Sequence, residues 1–224
     1  MSSTLDVAHE LAANGAVAGT LIVADAQTAG RGRMGRSWRS EPGVGVWLTV
    51  IERPTDTVAL EILSLRVGLA VAPALDALAE SPIRLKWPND LYVGDRKLAG
   101  VLIEARWRDG RPDWVAIGVG VNLRPPESEA RAIGLRNGVS RDEVMDLIVP
   151  AIRTAAGKVG PLSGAELAAF ADRDLAVGRP CVEPAVGVVQ GIDPTGALLI
   201  DVSSRGSRQV IIVRAGSLVL GEDP

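Results

Sequence analysis

The segment 27–36 carries the residues best suited to chemistry, because arginines are interleaved there with glycines at positions 30, 32 and 35. Together with Arg39, four arginines (31, 33, 36 and 39) fall within nine residues. Glycines let the backbone approach a ligand closely, and arginines supply forked, permanent cations that suit phosphate oxygens. The pattern indicates a loop that folds over a phosphoanhydride. A solvated basic loop is the competing interpretation, and the Gly-Lys-Ser/Thr ending of a P-loop is missing.

A second candidate is the run Lys86-Trp87-Pro88-Asn89-Asp90. Asparagine and aspartate after a proline make an ordinary turn, which is the simpler interpretation. In the functional interpretation, Asp90 helps to hold Mg²⁺ and Asn89 contacts a phosphate oxygen. One carboxylate is enough for this role, because Mg²⁺ bound to a nucleotide takes few protein ligands.

Lys97 begins a predicted strand, and strict alternation would place its side chain on the apolar face of Ala99, Val101 and Ile103. A buried ammonium group is costly unless an anion meets it, so this placement indicates a bound carboxylate or phosphate. Two alternatives stay open. Gly100 could bulge and change the register, or Lys97 could reach solvent from the start of the strand.

The strand predicted at 114–123 has one face of branched apolar side chains and another made of Ala116, Gly118, Gly120 and Asn122. A strand face reduced to glycine indicates close approach by a ligand or by another backbone. Asn122 could pair with the edge of a planar heterocycle, since its amide offers both a donor and an acceptor. Tight packing of a helix explains the glycines equally well.

The elements that must position these residues follow from hydrophobic spacing and from turn signals. Ser3 starts a helix that Gly15 and Gly19 end, and Ser140 and Ser163 start two more helices. Further predicted elements are a strand at 20–24, a loop at 25–43, a strand at 44–51, a helix at 60–79, a three-strand meander over 84–123, a loop at 125–138, and short strands at 186–192, 197–202, 210–213 and 217–220, with a turn at 203–207. We expect an α+β body over 1–176 and a small β-barrel over 177–224.

Composition excludes several classes of protein. The net charge is −3, which disfavours nucleic-acid binding over the whole surface. The single cysteine, Cys181, excludes an internal disulfide and a multi-cysteine zinc site, and the single histidine, His9, excludes mechanisms that need two. No leader and no apolar run of membrane-spanning length is found, so we expect a soluble, cytoplasmic protein without membrane contact.

Four motifs resemble the signature blocks of biotin protein ligases in order and spacing: Gly30-Arg-Gly-Arg-x-Gly-Arg36, Lys86-Trp-Pro-Asn-Asp90, Lys97-Leu-Ala-Gly100 and Gly118-Val-Gly-Val-Asn122. The resemblance covers essentially the whole chain. It implies a mixed β-sheet with helices on one side and a small SH3-like barrel at the C-terminus. It also implies that the enzyme makes biotinyl-5′-AMP from biotin and ATP, with Mg²⁺, and transfers biotin to a lysine of a biotin carboxyl carrier protein domain.

The resemblance also implies residue roles. Lys97 and Arg33 would be catalytic, acting on the reacting phosphate, and Asp90 would hold the metal. The implied biotin contacts are Ser3, Thr4, Leu5, Gln27, Arg31, Gly32, Arg33, Lys97 and Gly100. The implied ATP contacts are Gly30, Arg31, Arg33, Trp87, Asn89 and Asn122. Leu5 departs from the family pattern, which has asparagine there, and this removes a polar contact.

Two rival functions are less consistent with the sequence. Acyl transfer through a cysteine thioester, as in lipoyl or octanoyl transferases, needs a cysteine in the catalytic body, but Cys181 falls in the predicted barrel. A biotin-sensing repressor needs a helix-turn-helix, and a biotin motif that begins at Ser3 leaves no room for one, so we expect no specific DNA binding. The sequence leaves both a monomer and a homodimer open.

Overall fold

A computed structural model describes residues 1–124, 129–203, 207 and 209–221. Residues 125–128 of the predicted loop and part of the predicted turn at 203–207 lie outside this range. The helices are α1 (Thr4–Ala13), α2 (Thr57–Glu61), α3 (Leu63–Leu75), α4 (Arg141–Ala156) and α5 (Gly164–Arg173). The strands are β1 (Leu21–Ala24), β2 (Gly45–Glu52), β3 (Arg84–Lys86), β4 (Asp90–Val93), β5 (Arg96–Arg108), β6 (Arg111–Asn122), β7 (Pro180–Glu183), β8 (Gly187–Ile192), β9 (Leu198–Asp201), β10 (Val210–Val213) and β11 (Val219–Leu220).

The larger sheet has six strands in the order β1-β2-β6-β5-β4-β3. All of its named strands pair antiparallel, and among the described residues parallel pairing is confined to two isolated bridges, Leu85 with Asp174 and Lys97 with Ala132. The predicted α+β class is confirmed. The sheet is less mixed than expected. Its strands β3 to β6 are consecutive and return through short turns, which favour antiparallel neighbours.

Helices α3 and α4 pack against each other and cover one face of this sheet. That face carries the alternating branched side chains of β6, Val115, Ile117, Val119 and Val121, all of them buried. Helix α1 departs from the expectation of helices on one side only. It packs on the opposite face, where Leu5 lies against Gly118, because the small residues of β6 leave room there.

The predicted helix at 60–79 is two helices, since the chain leaves helical geometry at Ile62 between α2 and α3. Ser163 and Glu166 form the full capping box that starts α5. Ser140 caps α4 by accepting a hydrogen bond from the Glu143 backbone N–H. Within the described ranges, none of the helices combines the length and apolar character that a membrane crossing requires.

The C-terminal sheet has five strands in the order β10-β9-β8-β7-β11. Strand β7 is an addition to the predicted set, and closure of the sheet into a barrel stays a prediction, as does a boundary near 176. The inner side chains of this sheet, including Val189, Leu198 and Ile200, join the same hydrophobic core as α3. Trp87 contributes a further link, because its indole N–H donates to the Gly196 carbonyl oxygen at 3.0 Å. The two sheets therefore share a continuous interior.

Candidate active site

A cavity of about 890 Å³ opens on the face of the larger sheet that α3 and α4 leave free. It is lined by the start of α1, the loop between β1 and β2, strands β3 to β6, and the segment 216–221. Its charged lining is strongly basic although the chain as a whole is acidic. The basic residues are Arg31, Arg33, Arg36, Arg39, Lys86, Lys97, Arg131 and Arg179, against Asp90, Asp95 and Glu129. Such a cavity suits an anionic ligand.

One end of the cavity is a polar pocket at the start of α1. Ser3 caps the helix by accepting a hydrogen bond from the Leu5 backbone N–H. The Gln27 amide oxygen accepts from the Thr4 backbone N–H at 2.8 Å and from its hydroxyl at 3.2 Å, while the Gln27 amide nitrogen donates to Ser40 at 2.7 Å. This network holds the first loop residues against the helix. The predicted contacts Ser3, Thr4, Leu5 and Gln27 therefore lie together.

The floor of the cavity is made of glycine. A Cβ at Gly118 would lie 3.3 Å from the Leu5 methyl groups, and a Cβ at Gly120 would lie 2.7 Å from the Trp38 indole nitrogen. Gly100 pairs directly with Gly120 and also faces Trp38. The helix-packing interpretation of the glycine face is realised at Gly118, where Leu5 of α1 packs. At Gly120 a loop side chain approaches, and close approach by a ligand stays a prediction.

Trp38 is a cavity residue that the sequence analysis missed. Its ring lies 5.0 Å from the Lys97 ammonium group and packs edge-on against Trp47. Its indole nitrogen is buried and has no hydrogen-bond partner among the described residues. Its position, two residues after the arginine-glycine segment, was the available signal. An aromatic ring over a glycine floor offers a stacking surface for a planar ligand.

Lys97 lies on the cavity face, together with Gly100, and not on the face of Ala99 and Val101. The strict alternation predicted from the sequence is wrong here, because Tyr92 pairs with Lys97 while Leu91 pairs with Ala99. Leu98 is the extra residue of this bulge and is fully buried. The bulge turns Lys97 toward Asp90, whose carboxylate lies 2.7 Å from its ammonium nitrogen. The bulge alternative was therefore the right one, although it centres on Leu98 and not on Gly100.

The loop arginines connect three parts of the molecule. Arg31 pairs with Asp6 of α1 and with Glu104 of β5, both at 3.0 Å. Arg33 donates to the Gly216 carbonyl oxygen at 3.3 Å, and Arg36 donates to the Ser217 hydroxyl at 2.6 Å. Burial lowers the pKa of Arg33, Asp90 offsets part of this change, and Arg36 lowers the pKa further. An anion that arrives beside Arg33 would therefore offset the cost of burying its charge.

The remaining predicted residues fall into two groups. Gly32, Trp87, Asn89, Asp90 and Asn122 line the cavity. The Asn89 amide donates to the Val101 carbonyl oxygen at 2.7 Å, and that of Asn122 donates to the Lys97 carbonyl oxygen at 3.4 Å, so both also brace the backbone of β5. Gly30 lies outside the lining, since it pairs with Trp38 at the neck of the loop.

A model of the biotin/lipoate A/B protein ligase family matches residues 1–122 of this chain. The biotin--[acetyl-CoA-carboxylase] ligase of Mycobacterium tuberculosis is 32% identical over 235 residues, a match that covers 97% of this chain and 85% of that protein. The chain belongs to the biotin protein ligase family. The resemblance of its four motifs is thereby confirmed.

Two further comparisons with biotin protein ligases show how much of each chain the similarity covers. The bifunctional ligase/repressor BirA of Bacillus spizizenii is 44% identical over 124 residues, and the match covers 55% of this chain and 38% of that protein. The chain thus spans about two fifths of that relative. A solved biotin protein ligase of Aquifex aeolicus, in complex with biotin and ATP, superimposes with a TM-score of 0.77 at 26% identity, covering 99% of this chain and 96% of that one.

Cys181 lies in β7, is 1% exposed, and does not line the cavity. Its thiol approaches the Ala185 carbonyl oxygen at 3.2 Å, and burial raises its pKa. A thiolate nucleophile needs the opposite environment, one that is accessible and lowers the pKa. The geometry therefore disfavours the thioester chemistry of the rival acyl transferases.

Proposed function

We propose that this chain is a biotin--[biotin carboxyl-carrier protein] ligase. It joins biotin to AMP at the expense of ATP and then transfers the biotinyl group to a lysine of a carrier domain. The observation that carries the proposal is the continuity of one cavity, which runs from the polar pocket of α1 over the glycine floor to Lys97 and the loop arginines. The named activity of the M. tuberculosis relative and the ligands of the A. aeolicus structure support it.

Biotin is proposed to enter with its ring system at Thr4 and Gln27, with Leu5 on the apolar side. Its carboxylate then reaches Lys97 and Arg33 across the glycine floor. The nucleotide lies along the same floor, with Asn122 near the adenine and Trp38 available for stacking. Without Cβ atoms, Gly100 and Gly120 let the Trp38 ring lie directly on the sheet backbone, and the ligands are proposed to pack beside that ring.

In the first step a biotin carboxylate oxygen attacks the α-phosphorus of ATP, and the bond to the bridging oxygen breaks. Pyrophosphate leaves with the bonding electron pair, and no proton is transferred. Rate then depends on alignment and on cations that stabilise charge on the transferred phosphate. Lys97 supplies one of these cations from strand β5, and Arg33 supplies the other from the loop.

Mg²⁺ would accompany ATP and supply charge neutralisation on the phosphates. The described residues hold no group of three or more metal-ligating side chains. Asp90 offers one carboxylate in the cavity, which fits a Mg²⁺ ion held mainly by phosphate oxygens and water. Asp90 is therefore the residue proposed to hold it, with Asn89 beside it.

In the second step the amine of a carrier lysine, in its neutral form, attacks the acyl carbon of biotinyl-5′-AMP, and AMP leaves. The proton of the amine passes to solvent. The loop closed over the cavity keeps water from the mixed anhydride. A carrier domain of a biotin-dependent carboxylase is the proposed protein partner, and DNA is not part of the proposal. We propose the cytoplasm as the location of the activity, since ATP is available there.

Incubation of the chain with biotin, MgATP and a carrier domain tests the proposal directly. We expect a mass increase of one biotinyl group on the carrier lysine, and no increase when ATP is omitted. Lipoate in place of biotin is the matched control for the substrate class. Folded protein that transfers lipoate, or that transfers nothing, would contradict the proposed function.

A further inference from the structure

Arg31 differs from Arg33 and Arg36 because two carboxylates already meet its charge. Its guanidinium group lies 3.0 Å from the carboxylate of Asp6 in α1 and 3.0 Å from that of Glu104 in β5. Arg33 and Arg36 instead donate to a carbonyl oxygen and to a hydroxyl, which are both uncharged. A guanidinium group that is balanced twice over has little to gain from a phosphate. The Arg31 side chain therefore calls for a role other than anion binding.

The partners of Arg31 lie behind the cavity and not in it. Leu102 lines the cavity, and Glu104 follows it by two residues, so both point from the same face of β5. The described lining includes Leu5 at the start of α1 but neither Asp6 nor Glu104. The Arg31 side chain thus reaches away from the cavity that its own segment helps to line.

The single histidine of the chain fixes Glu104 in place. The Trp114 indole N–H donates to Nδ1 of His9 at 3.0 Å. An indole nitrogen can only donate, so Nδ1 accepts and the proton of the neutral imidazole is on Nε2. This Nε2 lies 3.0 Å from Oε2 of Glu104, the same oxygen to which Arg31 donates. One carboxylate oxygen is therefore held from the helix and from the loop.

These contacts start from a rigid part of the molecule. Trp114 is 6% exposed and belongs to the small core between α1 and the larger sheet. Asp6 and His9 are three residues apart in α1, which places them as neighbours on the helix surface. A continuous chain of contacts therefore runs from the buried Trp114 through His9 and Glu104 to Arg31, and Asp6 closes it from the helix.

We propose that Asp6, His9 and Glu104 are positioning residues, which anchor the Arg31 side chain and so hold the segment 30–32 against α1 before a ligand arrives. The proposal rests on the proposed function, since this segment borders the polar pocket assigned to biotin. The anchor fixes one arm of the loop in advance, which reduces the conformational entropy that biotin binding must overcome. Arg33 and Arg36 lie beyond the anchored segment and stay available to an anion.

Limited trypsin digestion of the full chain without ligand tests the anchor. Ion pairs that hold the Arg31 side chain keep it from the protease, so we expect cleavage after Arg31 to be about fivefold faster in Glu104→Leu. Glu104→Gln should restore nearly the wild-type rate, because its amide oxygen still accepts from Arg31 and His9. His9→Phe keeps a ring against Trp114 but cannot hold Glu104, and its rate should lie between the two.

Calorimetric titration with biotin tests the consequence for binding. We expect about fivefold weaker binding in Glu104→Leu and recovery in Glu104→Gln. In an Arg31→Gln background, Glu104→Leu should have little further effect on biotin affinity. Glu52→Leu is the matched control for both experiments, because it breaks a 3.0 Å ion pair with Arg153 on another strand of the same sheet. Its digestion pattern and biotin affinity should be those of the wild type.

Equal cleavage after Arg31 in the wild type and in folded Glu104→Leu overturns the anchor. The same loss of biotin affinity with and without Arg31 does so too, because Glu104 would then act by another route. If Glu104→Leu does not fold, a wild-type cleavage rate in His9→Phe is equally decisive against the proposal. Digestion uses no ligand, so a chain that never biotinylates a carrier would lose the proposed function and could still keep the anchor.

Discussion

Gly120→Ala tests whether the bare glycine floor is needed for activity. A Cβ at this position would lie 2.7 Å from the Trp38 indole nitrogen and 2.8 Å from the adjacent ring carbon, whereas ordinary contacts start at 3.4 Å. The indole must therefore retreat by about 0.7 Å. Gly100 also lies against the ring, and the Lys97 ammonium group is 5.0 Å from its centre. We therefore expect the ring to lift off the floor and to shift the loop that carries it.

The expected loss of activity is large and the expected loss of stability is small. A displacement of about 1 Å in a positioning group costs roughly a hundredfold in rate, so we expect a 10- to 100-fold lower rate of adenylate formation. Overpacking in a closed core costs about 1–3 kcal/mol. Trp38 is only partly buried and belongs to a loop, so the free energy of unfolding should change by less than about 1 kcal/mol.

The assay is pyrophosphate release at saturating biotin over a range of ATP concentrations, with urea unfolding alongside. Gly164→Ala is the control, because a Cβ there meets nothing within 4 Å. A double-mutant cycle adds Trp38→Ala, in whose background Gly120→Ala should have little further effect. The same loss from Gly120→Ala with and without Trp38 would refute the reasoning. Wild-type rates in Gly120→Ala would do so as well.

Four further outcomes are expected. Lys97→Ala should slow adenylate formation about a hundredfold with the fold intact, and pyrophosphate release near the wild-type rate would remove Lys97 from the mechanism. Leu5→Asn should tighten biotin binding several-fold by restoring a polar contact. It should also lower the free energy of unfolding by about 2 kcal/mol, because Leu5 is 4% exposed and packs against Gly118. Unchanged or weaker biotin binding in calorimetry would mean that the site is built around leucine. Trypsin should cut after Arg36 more slowly when biotin and MgATP are present, and equal rates would show that the loop does not close on the ligands. Burial raises the pKa of Glu166, but hydrogen bonds from Ser163, Arg66 and Lys158 outweigh this and lower the pKa from 4.5 to about 2. The stability that Glu166 provides is therefore complete above about pH 4.5 and is lost as the pH falls toward 2. In urea unfolding across that range, the free energy of unfolding should fall less steeply with pH in Glu166→Gln than in the wild type, and an equal slope would argue against this role.

Elements whose cause is local could be predicted from the sequence. Ser3 starts α1 and Ser163 starts α5 through hydrogen bonds to residues no more than three positions away. The four motifs are likewise recognised from the sequence itself. The apolar face of β6 was equally predictable, because alternation within one strand decides it. Nearly all of the site residues predicted from the motifs line one cavity.

Features that depend on pairing between distant segments could not be predicted. The direction of the Lys97 side chain depends on a bulge, because one extra residue in a strand moves every side chain before it to the opposite face of the sheet. The hydrogen bond from Arg36 to Ser217 joins positions 181 residues apart, so no local sequence pattern predicts it. Trp38 gains its role only when the loop brings it over Gly120.

The segment 216–221 completes the wall of a cavity whose other walls come from much earlier in the chain. On the ribosome, the α1 pocket, the glycine floor and Lys97 are all synthesised about a hundred residues before Gly216 and Ser217 exist. The sheet proposed to receive biotin is therefore synthesised well before the partners of Arg33 and Arg36. The reactive adenylate would be sheltered only after translation has passed this last segment, so an interrupted chain would carry a receiving surface without the means to keep water out.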